Sequence, residues 1–200
     1  MKIEQRIEQR NELLQQMLET ELGGVLVYET ALSCVLNDDL ADEWGKYLEQ
    51  TKGHVRIVQD LMQALGVVPQ ETPGRLVVRH IGKSLVAAMQ MAKASAPPPA
   101  AEIVACECLV NAETKDHGNW ELLATYAEAA RGDEKKAIDA AIAEVEDQED
   151  EHLYHSKGWC RELSIANLGL KAVLPPPEEQ KDVKTAIGAA RAKQARTELM

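Results

Sequence analysis

Glu149-Asp150-Glu151-His152 decides how this chain is read. Residues three apart on an α-helix sit about 60° apart in projection and roughly 4.5 Å apart along the axis. Glu149 and His152 are therefore near enough to grip one metal ion. Ile138, Ile142 and Val145 before the pair, and Trp159 and Leu163 after it, recur at three- and four-residue steps and mark one apolar seam. Glu149 and His152 fall on that seam, where Leu or Ile is expected. A carboxylate facing a core is costly unless it is paired or bound to a metal. Against this, six of the eight residues from Glu144 to Glu151 are acidic, the mark of a solvated helix face. The remaining helices must separate the two readings.

The 200 residues suit one large domain or a domain with appendages, and 45% hydrophobic residues are enough for a sizeable core. Phe is absent and Ala, Leu, Glu and Lys dominate, which favours helix over strand and implies an all-α fold. The net charge of −11 disfavours nucleic acid and anionic membrane as main partners. Cys34, Cys106, Cys108 and Cys160 read as reduced, buried thiols, with Cys106 and Cys108 pointing apart on a helix. With no apolar signal core after Met1 and no apolar run near the roughly 18 residues of a membrane span, a cytoplasmic protein is expected.

In chain order, a first helix is expected from about Lys2 to Leu36, with the seam Ile7, Leu14, Leu18, Leu22, Val25, Glu29, Leu32 and Leu36. Gly23-Gly24 marks a kink or a close helix contact, since each glycine costs up to about 1 kcal/mol of helix propensity. Asn37-Asp38-Asp39 stops this helix and caps a second, Asp39 to Leu65, closed by Gly66. Thr51 and His54 interrupt its apolar seam, again three apart. After a loop with Pro69 and Pro73, a shorter helix runs from about Leu76 to Ala94 and carries His80, read as structural or exposed. The linker Ala96-Pro97-Pro98-Pro99 leads to a third long helix, Ala100 to Ala130, whose seam is Ile103, Cys106, Val110, Glu113, His117, Trp120, Ala124 and Ala127. Arg131-Gly132-Asp133 reads as a turn before the fourth long helix, Asp133 to Asn167. Leu174-Pro175-Pro176-Pro177 must leave in extended form. Residues Lys181 to Met200 carry five basic and two acidic residues in a short helix. Such a basic tail is suited to packing on its own acidic domain or on a second subunit.

Four long helices thus place Glu29; Thr51 and His54; Glu113 and His117; and Glu149 and His152 on apolar seams. The halves also echo each other. Val25-Leu26-Val27-Tyr28-Glu29-Thr30 parallels Leu109-Val110-Asn111-Ala112-Glu113-Thr114, and Glu49-Gln50-Thr51-Lys52-Gly53-His54 overlays Asp147-Gln148-Glu149-Asp150-Glu151-His152. On these residues the chain resembles the ferritin-like superfamily of di-iron or di-manganese carboxylate bundles. That pattern is a Glu on each of two helices and Glu-x-x-His on each of the other two. The resemblance covers roughly Val25 to Trp159, including the long crossover. It departs at Thr51, where the family has Glu; His117, one turn beyond Glu113, is one replacement ligand and Glu49 a weaker one. Hemerythrin-like bundles hold di-iron mainly through His, and the carboxylate balance here fits them less well.

The resemblance implies a four-helix bundle over residues 1–170, with an extra short helix in its crossover and a C-terminal tail helix within 171–200. It implies metal ligands at Glu29, His54, Glu113, His117, Glu149 and His152, holding two iron ions, with manganese or zinc as alternatives. An oxidoreductase-type reaction with O2 or peroxide is then expected. Without Cys-x-x-Cys pairs a rubrerythrin-like electron chain is not expected, nor, with the proline-rich exit, a cage. The competing expectation is a non-enzymatic bundle with one structural or stored metal or none, acting through a partner. In either case a homo-oligomer, a dimer involving the tail, is expected. One carboxylate fewer at Thr51 implies a weaker metal position on the His54 side.

Overall fold

A computed structural model describes residues 3–180 and 184–198. Lys2 of the expected first helix, and Lys181, Asp182, Val183, Leu199 and Met200 of the expected tail, lie outside the described residues. The chain is all-α: α1 (Ile3–Leu32), α2 (Asp38–Ala64), α3 (Pro73–Ser95), α4 (Pro98–Ala129), α5 (Gly132–Asn167) and α6 (Thr185–Glu198), with a 3₁₀ turn at Pro177–Glu179 and no strand among the described residues. No helix among them is long and apolar enough to cross a membrane.

The helix ends follow local chemistry. Asn37 caps α2 by accepting from the Leu40 amide. At the other end Gly66, at φ 68°, lets the Val67 amide turn back to the Met62 carbonyl at 2.8 Å. α1 stops at Leu32 rather than Leu36 because the Leu36 and Asn37 amides donate to Glu102 Oε1 of α4, at 2.7 and 2.9 Å. α3 starts earlier than expected, because Thr72 accepts from the Arg75 amide and Pro73 fits the first turn, where no amide donor is needed. The same tolerance lets α4 begin at Pro98, inside the expected linker.

α1, α2, α4 and α5 enclose two apolar clusters. One gathers Leu14, Met17, Leu18, Val58, Leu61, Met62, Trp120, Leu123, Ile138 and Val145. The other gathers Val27, Tyr28, Leu40, Trp44, Tyr47, Leu109 and Trp159, with Met89 of α3. α3 lies on α1 and α4, held to α1 by Glu19, which accepts from Arg75 and Arg79 at 2.7 Å each. At that crossing a Cβ on Gly82 would sit 3.6 Å from the Gly23 Cα, so the contact expected at Gly23 is with α3.

The inward face of α1 differs from the expected seam. Ile7, Leu22 and Leu36 are exposed, whereas Leu14, Met17, Leu18, Glu21, Tyr28 and Ala31 are buried. At 100° per residue these buried positions share one stripe, from which Glu29 lies about 90° away. The tail packs on its own chain. Glu178, fully buried, accepts from Arg161 at 2.5 and 2.9 Å, and Arg196 of α6 reaches the buried Glu162 of α5 at 2.6 Å. Gly158 makes room for this, since a Cβ there would lie 2.8 Å from Glu178 Oε2.

Candidate metal centre

Between the two apolar clusters lies a buried polar layer. α1 contributes Glu21, α2 Thr51 and His54, α4 Glu113 and Asp116, and α5 Glu149 and His152, each at most 6% exposed. His54 Nδ1 lies 3.0 Å from Glu149 Oε1 and 3.7 Å from Glu21 Oε2. His152 Nδ1 lies 3.6 Å from Glu113 Oε2 and 3.8 Å from Glu149 Oε1. Two ligands on one ion with bonds of about 2.1 Å stand roughly 3.0–3.5 Å apart. The His54–Glu149 distance falls in that range, and the other three exceed it by 0.1–0.3 Å. His54, Glu149 and His152 form one group able to hold a metal ion, and Glu21, Asp116 and Glu149 another, with Glu149 common to both.

The outer nitrogen of each imidazole is held by a glutamine on the opposite helix. His54 Nε2 lies 3.0 Å from Gln148 Oε1, and His152 Nε2 lies 2.9 Å from Gln50 Oε1. Gln148 donates its amide nitrogen to the Glu144 carbonyl, so its oxygen faces His54 and the His54 Nε2 carries the proton. The lone pair of Nδ1 then faces the carboxylates, the orientation of a ligand imidazole whose other nitrogen is tied to a neighbouring side chain. The reciprocity also repeats in sequence, because Gln50 precedes His54 and Gln148 precedes His152 by four residues.

No Lys or Arg among the described residues pairs with these four carboxylates. Glu21 Oε2, Glu113 Oε2, Asp116 Oδ1, His54 Nδ1 and both oxygens of Glu149 are buried without a hydrogen-bond partner among the described residues. Burial, then the Glu113 charge, pushes the Glu149 carboxyl up to about 8. Burial, reinforced by neighbouring carboxylates, raises Glu21 and Asp116 well above the usual range, while burial lowers His54. A layer of lone pairs facing carboxylates calls for either protons or cations.

Of the six residues singled out from the sequence, His54, Glu113, Glu149 and His152 meet in this layer. Glu29 does not, being exposed on α1. Neither does His117, whose Nε2 lies 2.8 Å from Asp150 Oδ1 near the surface. Asp116 sits within about 10° of the centre of the buried stripe of α4, and His117 about 100° from it. Glu49, too, points outward and pairs with Lys52 at 2.7 Å. Sequence reasoning missed Glu21 and Asp116. Asp116 was findable, because Glu113-x-x-Asp116 repeats the spacing of Glu149-x-x-His152. Glu21 was hidden by the more apolar Leu22 beside it. Asp116 brings a fourth carboxylate to the layer, in which Thr51 supplies only a hydroxyl.

Tyr47 roofs the layer, its ring centroid 4.2 Å from that of His152 and its hydroxyl 2.7 Å from His155 Nδ1. His155 Nδ1 lies 2.6 Å from Glu43 Oε1 and 3.5 Å from Glu179 Oε2, and Trp159 Nε1 donates to Glu43 Oε2 at 2.7 Å and to Glu179. Glu43, His155 and Glu179 are a further group able to hold a metal ion. The four cysteines are free; Cys34, Cys106 and Cys108 are buried and Cys160 is half-buried. No protein-family model, curated protein or solved structure matches the chain.

Proposed function

We propose that the polar layer holds two divalent transition-metal ions in a ferritin-like four-helix bundle, and that the protein is an oxidoreductase-type metalloprotein. Iron is the first choice and manganese the second, because mixed carboxylate and imidazole donors suit both. The observation that carries this reading is the pair of imidazoles whose Nδ1 atoms face the buried carboxylates of Glu21, Glu113 and Glu149, with which no Lys or Arg among the described residues pairs, while Gln50 and Gln148 hold their other nitrogens. Four carboxylates with neutral histidines match the charge of two divalent ions.

In this reading His54, Glu21 and Asp116 hold one ion, His152 and Glu113 the other, and Glu149 reaches both. Bound there, a reduced pair of ions would supply electrons to dioxygen or peroxide, chemistry that the side chains alone do not offer. The chain's own residues orient and insulate. Trp120 Nε1 donates to Glu21 Oε1 at 3.2 Å and steadies it, while the buried Tyr28 and Tyr47 limit water above the layer. From Tyr47 the hydroxyl contact to His155 leads to the half-buried Glu179, a route by which a proton can leave.

Elemental analysis of freshly purified protein, with absorption spectra before and after oxygen, tests the proposal. Near two equivalents of metal and an oxygen-dependent change support it, with loss of both in Glu149→Ala and His152→Ala. Substoichiometric metal with unaltered folding would support a non-enzymatic bundle instead.

A further inference from the structure

Between α4 and α5 a cavity of about 180 Å³ reaches the polar layer. Its lining includes Trp120 and Glu149 on the buried side and Glu121, Glu146, Asp150 and Lys184 nearer solvent. Glu149 is 2% exposed, and neither carboxylate oxygen has a hydrogen-bond partner among the described residues. The cavity therefore ends on an unsatisfied, buried carboxylate. Around its mouth three carboxylates stand against one ammonium. Lys184 Nζ lies 5.6 Å from the centroid of the Tyr154 ring, on the rim. His117 spans two of the carboxylates, with Nε2 2.8 Å from Asp150 Oδ1 and Nδ1 3.8 Å from Glu121 Oε1.

The charge decides what such a passage admits. An anion meets like charge at the rim and again at Glu149. An apolar molecule would have to strip water from three carboxylates for little contact in return. A hydrated divalent cation is attracted at both ends, and a single-signed, low-dielectric cleft concentrates it. A water occupies about 30 Å³ of liquid, so the cavity has room for an ion with part of its shell. We infer that this cavity is the route by which hydrated divalent cations enter the layer, with Glu121, Glu146 and Asp150 drawing the ion in and Glu149 receiving it. The inference rests on the metal-centre reading above and adds to it that the ion arrives from solvent through an acidic mouth between α4 and α5. His117 then belongs to the gate, where its imidazole must part from Asp150 for an ion to pass.

The test is Co(II) added to metal-free, full-length protein and followed by stopped-flow absorption, with total uptake measured at equilibrium. Glu121 and Glu146 are exposed, so the double variant Glu121→Gln/Glu146→Gln should fold normally. It should load about tenfold more slowly at low salt, with the gap closing at high salt and the final equivalents unchanged. Lys184→Glu should load faster than wild type. Wild-type rates in the double variant overturn the entry route and leave the metal centre standing. Lost equivalents in the double variant also overturn it, because the rim would then be ligand rather than passage. A wild-type chain that takes up no Co(II) overturns the metal-centre reading itself, and the route with it.

Discussion

Gly24 of α1 packs against Thr51 of α2 so closely that a Cβ at position 24 would lie 3.2 Å from Thr51 Cγ2. Thr51 also donates to the Tyr47 carbonyl at 2.9 Å, so its side chain is a fitted spacer between two helices. Thr51→Glu adds two heavy atoms and a fifth carboxylate to this contact. It should destabilise the protein by about 1–3 kcal/mol, as overpacking usually does. Thermal melting of the two proteins decides this. An unchanged midpoint would show that position 51 has room for a ligand.

In the proposed centre Asp116 supplies the carboxylate that Thr51 does not. Asp116→Asn should lower metal uptake and weaken the His54 side first, because Glu21, Asp116 and Glu149 form one group. Glu29→Gln and His117→Ala should leave equilibrium uptake at the wild-type level. Equilibrium dialysis of the three variants with Co(II) makes the comparison, and retained uptake in Asp116→Asn would remove that residue from the centre.

In the metal-free protein, stability should fall as pH rises from 6.5 to 8. Folding raises the Glu149 carboxyl to about 8 and lifts Glu21 and Asp116 well above their ordinary values of 4.5 and 3.8. Raised carboxyls favour folding while both states are protonated, and that advantage disappears as pH climbs through the folded values. His54, lowered from 6.5 by burial, opposes folding only below that pH and so does not mask the trend. Melting midpoints at pH 6.5 and 8 in the presence of a chelator give the sign, and Glu149→Gln should flatten the slope. Bound metal should raise the midpoint more at pH 8, since it competes with protons for the same oxygens.

Gln148→Leu and Gln50→Leu should each cost about 10- to 100-fold in metal affinity, the usual effect of removing the hydrogen-bond partner that orients a ligand histidine. Neither glutamine is itself placed as a ligand. Loss of affinity with an intact helical circular dichroism spectrum would identify them as positioning residues; unchanged affinity would show that the tautomer is set elsewhere.

Arg161→Ala should destabilise the fold by about 3 kcal/mol, since it leaves the fully buried Glu178 without its bidentate partner. A midpoint unchanged in urea titration would show that the 3₁₀ turn contributes little to stability.

Composition and helical periodicity were enough for the all-α class, the order of the helices, and His54, Glu113, Glu149 and His152 as polar interruptions of apolar seams. Helical periodicity is local, and a buried polar residue stands out whenever its neighbours at three and four positions are apolar. Tertiary structure decided which side of α1 and α4 faces inward. On α1 the stripes through Glu21 and through Glu29 share Leu14 and Leu18, and only packing against α2, α3 and α4 chose between them. On α4 Asp116 and His117 both neighbour Glu113 in projection, and about 100° of helix rotation separates the buried carboxylate from the surface imidazole. The pairing of Gln50 with His152 and of Gln148 with His54 joins residues about a hundred positions apart. It depends on how α2 and α5 cross, which no local pattern encodes.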